Sequence, residues 1–332
     1  MAVIGVTGAA GFIGGALLPR LIAKGHTVRA LDNFSGPLTV VHPDVPVERA
    51  DLRDDAGLRI LGESEVVLHL AAVSGVMACA NDPVGSRAVN VDATRRVAEF
   101  CRTKGIPLAL ASSFAVVGIP DRLPITEATP PRPPHAYARQ KAEAEDVVRS
   151  VSGPAGIPVG ILRMSNVYGS YRVGDRTVAK GNVLNLFAQQ AMDGTLHVNA
   201  PGTQRRDYIH LEDVLAHWEA AARFLTERAD APAPWTFNVA SGETATVLEL
   251  ADRVSAEFHR SFPDRPPLRV EIVPNPRGDI EILHPDFSVD RSETERRLNV
   301  HCTHDLDASI REILRATAEA RSLPADTGAR NA

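Results

Sequence analysis

The sequence predicts an α/β fold: a doubly wound parallel sheet with a smaller second lobe interleaved toward its C-terminal half. Three observations predict it. The apolar run at residues 2–7 breaks directly into Gly8-Ala9-Ala10-Gly11-Phe12-Ile13-Gly14 and then into a helical pattern reaching about Lys24. Short apolar runs then alternate with helical stretches as far as Arg163, which implies βαβ units and a sheet covered on both faces. Beyond Arg163 the alternation loosens, and no Ser- or Gly-rich linker separates the two regions.

Taken in order, the first strand and glycine turn form a Rossmann-type dinucleotide site. Glycines let the backbone approach a pyrophosphate, and the helix that follows offers unpaired N–H groups and a positive dipole end. The next strand, 27–31, ends in Asp32, about 20 residues past the turn, where a carboxylate accepts hydrogen bonds from an adenosine ribose. That carboxylate would repel a 2′-phosphate, so the cofactor expected is NAD. Further strands are read at 46–50, 65–70, 107–112 and 157–163, with helices at 90–104 and 135–151. In such sheets ligands sit at the carboxyl ends of the strands, which directs attention to Asp32, Asp51, Ala71, Ala72, Ser112, Ser113 and Asn166. Helices follow at 182–193, 212–227, 246–259 and 305–321, and a strand at 235–240. The expected division is a dinucleotide-binding domain at 1–166 and 206–241, a substrate lobe at 167–205 and 242–322, and a frayed tail at 323–332.

Bulk properties exclude several function classes. The chain has 332 residues, 44% hydrophobic and 23% charged, with a formal net charge of −5. That balance leaves no basic footprint for nucleic acid and no polybasic patch for a membrane surface. No run of 18 apolar residues is present, so no membrane span is expected. No positive charge precedes the apolar start, which argues against reading it as a secretory signal. Cys79, Cys101 and Cys302 lack metal-ligand spacing and fit a reducing cytoplasm. No metal site is expected.

The second chemical signal is Tyr137-Ala138-Arg139-Gln140-Lys141. Positions i and i+4 share one helix face, so Tyr137 and Lys141 point into one site. A nearby ammonium and an oxidised nicotinamide ring would favour the phenolate and make Tyr137 a general base. The preceding strand ends in Ser112-Ser113, a source of a hydroxyl for the same substrate oxygen.

Together these features resemble the extended short-chain dehydrogenase/reductase family, the nucleotide-sugar epimerases and dehydratases. The resemblance runs from about Val3 to Arg311. Its motifs are Thr7-Gly8-x-x-Gly11-x-x-Gly14, Asp32-Asn33, Asp51-Leu52, His69-Leu70-Ala71-Ala72, Asn90-Val91, Ser112-Ser113 and Tyr137-x-x-x-Lys141. Leu162-Arg163-x-x-Asn166-Val167-Tyr168-Gly169, Gly202-x-x-x-Arg206-Asp207-Tyr208-x-His210-x-x-Asp213 and Phe237-Asn238-Val239 follow in the same order. The resemblance implies that Gly8, Gly11, Phe12, Ile13, Gly14, Asp32 and Asn33 hold the cofactor. It implies that Asp51 and Leu52 border the adenine, and that Leu70, Ala71 and Ala72 line the pyrophosphate and ribose path. Ser113 and Tyr137 would flank the reacting hydroxyl, with Lys141 on the nicotinamide ribose. Asn166 and Arg206 would bind substrate, Arg206 at its diphosphate, unless Arg206 simply pairs with Asp207.

Two positions depart from the family pattern. Val117 stands before Gly118 where the family carries Tyr, which would alter the wall beside the nicotinamide. The family's Arg-x-Gly-Asp segment reads Pro276-Arg277-Gly278-Asp279, so Arg277, a second candidate for the diphosphate, is displaced by one. Leu283 falls where related epimerases limit bulk at the sugar's C2 substituent, and equally suits a core leucine. The resemblance also implies a homodimer through helices 90–104 and 135–151, with Val97, Phe100, Cys101, Ala142 and Val148 as seam candidates unless that stripe faces its own sheet.

The pair after Ser113 separates the reactions. Dehydratases of this family carry Asp-Glu there and decarboxylases Glu, whereas this chain has Phe114-Ala115, and neither side chain carries a proton. What remains needs one base and one hydride acceptor. The expected reaction is therefore epimerisation of a nucleoside-diphosphate hexose at C4 through a 4-keto intermediate. A net NAD-dependent dehydrogenase or ketoreductase using the same residues is the alternative, and a non-enzymatic dinucleotide-sensing protein is the alternative of another class.

Overall fold

The computed structural model describes residues 1–39, 42–153, 156–228, 233–276, 278 and 286–322. The first half carries strands β1 (Val3–Thr7), β2 (Thr27–Asp32), β3 (Glu48–Arg49), β4 (Val66–His69), β5 (Leu108–Ser113) and β6 (Val159–Met164). Its helices are α1 (Phe12–Ala23), α2 (Asp55–Ile60), α3 (Val76–Asn81), α4 (Pro83–Arg87), α5 (Thr94–Lys104) and α6 (Ala136–Ser150). The expected helix at 90–104 starts earlier, as a π-helical turn over Ala88–Ala93. The second half adds strands β7 (Asn166–Tyr168), β8 (Ser170–Val173), β9 (Arg176–Ala179), β10 (Thr195–Asn199), β11 (Arg205–His210), β12 (Pro234–Val239), β13 (Thr244–Thr246) and β14 (Arg269–Val273). Its helices are α7 (Val183–Asp193), α8 (Leu211–Thr226), α9 (Val247–Ser261), α10 (Ser292–Leu298) and α11 (Leu306–Ser322).

Seven parallel strands form the main sheet in the order β3-β2-β1-β4-β5-β6-β12. The order reverses between β1 and β4, and the crevice outside that reversal is the place where open α/β sheets bind ligands. Strands such as Val66-Val67-Leu68-His69 are buried at every residue, because helices cover both faces. One face packs against α1 and α8, with Leu17, Leu18, Leu21, Trp218 and Phe224 in one apolar cluster. The other packs against α5 and α6, where Val97, Cys101 and Val148 meet Leu108, Val159 and Ile161.

That second cluster corrects the dimer seam. Val97, Cys101 and Val148 are consumed by the chain's own sheet, Phe100 packs on the same cluster, and Ala142 packs with Phe114 in a smaller one. The outward residues of these helices are Arg95, Glu99, Arg102, Arg139 and Asp146. The reason is elementary: a parallel sheet needs both faces covered, and these two helices cover one of them.

The second lobe has its own core of Phe187, Leu196, Tyr208, Leu250, Val254 and Leu314, built on the sheets β10-β14 and β13-β11-β7 and a separate β8–β9 hairpin. No described helix is long and apolar enough to cross a membrane. The three cysteines are free, and no metal-ligating cluster occurs among the described residues. The tail at 323–332 lies outside the described residues.

Candidate active site

The glycine turn is shaped by backbone-on-backbone contact. Gly8 takes φ +67°, and a Cβ there would lie 2.6 Å from the Ala71 nitrogen. Gly14 lets α1 close on the turn, since a Cβ would lie 2.4 Å from the Gly8 oxygen and 2.8 Å from Ala9 Cα. At Gly11, the residue before α1, a Cβ would meet only the Gly8 oxygen, at 3.2 Å. The first N–H groups of α1, beginning at Phe12 and Ile13, therefore open onto the crevice beside an uncovered stretch of backbone. Such an opening suits a phosphate pair.

Asp32 closes the end of β2 beside that cradle. Its carboxylate accepts from Ala10 N (3.0 Å) and Phe34 N (2.7 Å), which fixes its orientation. Asn33 donates to Asp51 at 3.3 Å, and Arg53 grips Asp51 through two nitrogens at 2.9 and 2.7 Å. The Arg53 hydrogen bond holds the Asp51 carboxyl well below the usual carboxylate range. Leu52 is buried in the adjoining cluster. The donor set, the glycine contacts and the acidic residue at the end of β2 fit an adenine dinucleotide with a free ribose diol.

The exit of β4 forms the opposite lip. Leu70 N donates to Thr7 O (3.1 Å) and Ala71 N to the Thr7 hydroxyl (3.3 Å), so residues 70–72 leave directly over Gly8. His69 bridges the Thr7 and Thr94 hydroxyls at 2.7 and 2.9 Å. Burial, helped by the Lys141 charge, lowers it to about 3, so it is a neutral strut. Asn90 clamps Val73 by exchanging hydrogen bonds with its N and O (2.8 and 3.0 Å) and donates to Gln140 on α6 at 2.8 Å. The Asn90-Val91 motif is thus a brace between the cofactor lip and α6.

Ser113 ends β5, and α6 brings Tyr137 and Lys141 to it. His135 caps α6 by accepting from Ala138 N (3.2 Å) and stacks on Tyr137, aiming the phenol toward the strand ends. Lys141 is buried, and its ammonium donates to Ala111 O at 2.9 Å. Burial lowers Lys141 to about 8. It raises Tyr137 to about 12, opposed by hydrogen bonding to Ser113. The expected help from Lys141 to the phenolate is therefore not what governs Tyr137 within the protein alone: one ammonium donor goes to Ala111 O, and desolvation dominates.

Behind this trio lies a buried ion pair that the sequence reading passed over. Glu145, one turn after Lys141, accepts from Arg163 Nε (3.0 Å) and Nη2 (2.8 Å) and from the Ser112 hydroxyl (2.6 Å). It ties α6, β5 and β6 together at the residue preceding Ser113. The i, i+4 spacing from Lys141 was visible; its partners, 18 and 33 residues away, were not.

Phe114 is buried edge-on against Phe287. Val117 is fully buried in the same small cluster with Val116 and Ile125, so its side chain is taken up by packing.

From the second lobe, Asn166 is exposed to the crevice and donates to Asp207 O at 3.0 Å, joining β7 to β11. Arg206 Nη1 donates to Arg205 O at 2.8 Å. The Asp207 carboxylate is buried and accepts from Ser241 N (3.0 Å) and Gly242 N (2.7 Å), so its partners are the turn after β12. Arg277 and Leu283 lie outside the described residues.

Comparison with known proteins agrees with this geometry. The model of the NAD dependent epimerase/dehydratase family matches residues 4–240. UDP-glucose 4-epimerase of Mycolicibacterium smegmatis is 30% identical over 83% of this chain and 87% of its own length. The enzyme of the same name from Corynebacterium glutamicum is 30% identical over 82% of this chain and 84% of its own. The crystal structure of Thermus thermophilus UDP-glucose 4-epimerase in complex with NAD superposes with a TM-score of 0.78 at 28% identity, covering 96% of this chain and 99% of that one.

Proposed function

Because the chain belongs to the NAD dependent epimerase/dehydratase family, we propose that it is an NAD-dependent epimerase of a nucleoside-diphosphate sugar, acting at C4. One observation carries the choice of reaction. Ser113, Tyr137 and Lys141 converge beside the dinucleotide cradle, while the next two side chains, the buried Phe114 and the half-buried Ala115, carry no proton. A single proton carrier suffices for alcohol–ketone interconversion; elimination of water needs more.

When bound, NAD supplies the hydride acceptor and donor. Gly8, Gly11 and Gly14 admit its pyrophosphate, Asp32 its adenosine ribose, and Lys141 its nicotinamide ribose. Tyr137 takes the proton of the sugar's C4 hydroxyl and returns it after the 4-keto sugar has turned its other face. Ser113 holds the same oxygen through its hydroxyl. The protein's own groups leave the Tyr137 phenol at about 12, and an oxidised nicotinamide held by Lys141 would supply the positive charge that favours the phenolate. Asn166 and Arg206 meet the substrate from the second lobe, Arg206 at the diphosphate, for which its planar fork is suited. We place the protein in the cytoplasm, in keeping with its three free thiols, and as a homodimer.

The test is turnover without added reductant. Purified protein should interconvert UDP-glucose and UDP-galactose, or an analogous pair. Failure across a panel of nucleotide sugars, or stoichiometric accumulation of reduced cofactor, would replace this reading with the dehydrogenase one.

A further inference from the structure

One hairpin of the second lobe leans onto the dinucleotide turn. β8 and β9 pair antiparallel, with Tyr171 opposite Val178 and Val173 opposite Arg176, and Gly174 takes φ 56° in the connecting turn. Opposed residues share a face, and alternate residues repeat it, so Tyr171, Val173 and Val178 lie on one side. Val173 and Val178 join the apolar cluster that contains Ala9 and Phe12, and the Tyr171 ring lies 5.9 Å from the Phe12 ring. Phe12 is the first residue of α1. This face of the hairpin therefore stands against the phosphate end of the cradle.

The hairpin is fixed at its base. Asn185 Nδ2 donates to Gly169 O (3.1 Å) and Lys180 O (2.8 Å), drawing the two ends together. Gly169 takes φ +104°, and a Cβ there would meet the His210 imidazole at 3.0 Å.

On the face of this hairpin that carries Tyr171, Val173 and Val178, three donors are unspent among the described residues: the exposed Arg176 guanidinium beside the turn, the Tyr171 hydroxyl and the Lys180 ammonium. The Tyr171 hydroxyl is buried without a hydrogen-bond partner among the described residues, although buried hydroxyls are nearly always paired. Lys180, one residue beyond β9 and in the alternation of Val178, has no hydrogen bond or ion pair for its ammonium among the described residues. Lys180 is exposed, its charge is felt by Lys141, and partial desolvation lowers it from the ordinary lysine value. The chain has only four lysines, against thirty-two arginines, and two of them stand together here.

We infer that the β8–β9 hairpin is a cofactor-holding arm, in which the Tyr171 hydroxyl and the Lys180 ammonium donate to the pyrophosphate of the dinucleotide seated on the glycine turn. A diphosphate is the matching chemistry, since it is acceptor-only and negative. The substrate's diphosphate shares that chemistry; the contact of Tyr171 with Phe12 favours the cofactor. The inference rests on the reading that NAD binds at this turn, and it explains how one cofactor stays in place through an epimerase cycle.

The test uses the NAD-loaded protein without sugar. Tyr171→Phe and Lys180→Met should each release NAD about tenfold faster, and the double variant about a hundredfold faster, as for loss of charge-assisted hydrogen bonds. Affinity for UDP, measured by calorimetry on the loaded protein, should stay within about twofold. Cofactor-free Tyr171→Phe should melt no lower than the parent, because an unpaired buried hydroxyl contributes no stability; a merely structural role would lower it. Unchanged NAD release in both variants overturns the inference. Weakened UDP binding with unchanged NAD release also overturns it and gives the donors to the substrate. Because no sugar is present, absent epimerase activity and a failed arm remain distinguishable.

Discussion

Replacing Glu145 with leucine removes the acceptor of a buried guanidinium. Arg163 is 1% exposed and Glu145 0% exposed, so the arginine is left charged and desolvated with only the Thr129 carbonyl at 3.1 Å as acceptor, and the Ser112 hydroxyl loses its partner as well. Breaking a buried pair from one side costs about 3–5 kcal/mol. With an unfolding entropy of about 2.1 cal/mol/K per residue, a chain of 332 residues should lose about 4–7 °C in melting temperature. Arg163→Met should cost less, because Glu145 would keep the Ser112 hydroxyl and the more distant Arg149 at 3.5 Å. The double variant Glu145→Leu/Arg163→Met leaves no buried charge and should recover most of the loss. Thermal and urea unfolding of the four proteins measures the cycle. The reasoning is refuted if Glu145→Leu melts within about 1 °C of the parent, or if the double variant falls below both single variants, since either result means that desolvated charge is not the dominant cost.

Tyr137→Phe should lower kcat by about 10²–10⁴-fold through loss of the proton carrier while NAD affinity is kept; steady-state kinetics and NAD titration separate the two. Gly14→Ala should abolish retention of NAD on gel filtration, because a methyl would sit 2.4 Å from the Gly8 oxygen and only backbone movement relieves it; a variant retaining NAD at parental stoichiometry would contradict the cradle. His69 is held at about 3 against an ordinary 6.5, so between those values the unfolded chain binds the extra proton. Its contribution is complete above pH 6.5 and is lost as pH falls toward 3, at up to about 1.4 kcal/mol per pH unit. His69→Gln should flatten the stability–pH curve between pH 6 and 4 by that slope, and a curve as steep as the parent's would assign the acid sensitivity elsewhere.

The amino-acid sequence by itself determined the alternation of strands and helices, the glycine turn, Asp32 and the Tyr137–Lys141 pair. These are legible because each is written in local periodicity or short spacing: period two or a continuous apolar run for strands, 3.6 for helices, and four residues for two side chains on one helix face. The strands β7 to β11, β13 and β14 were not legible, because they are short, half polar, and stabilised by partners far along the chain, as Thr195–Asn199 is by Arg269–Val273. Tertiary structure alone decided which way an apolar helix stripe faces, turning Val97, Cys101 and Val148 inward to the sheet and not toward a second subunit. It also decided that Lys141 donates to Ala111, that Glu145 finds Arg163, and that the Tyr171 ring packs against Phe12 at the dinucleotide turn. Periodicity records which side of an element is apolar, but pairing, burial and the value of a charge depend on what the rest of the chain brings to that side.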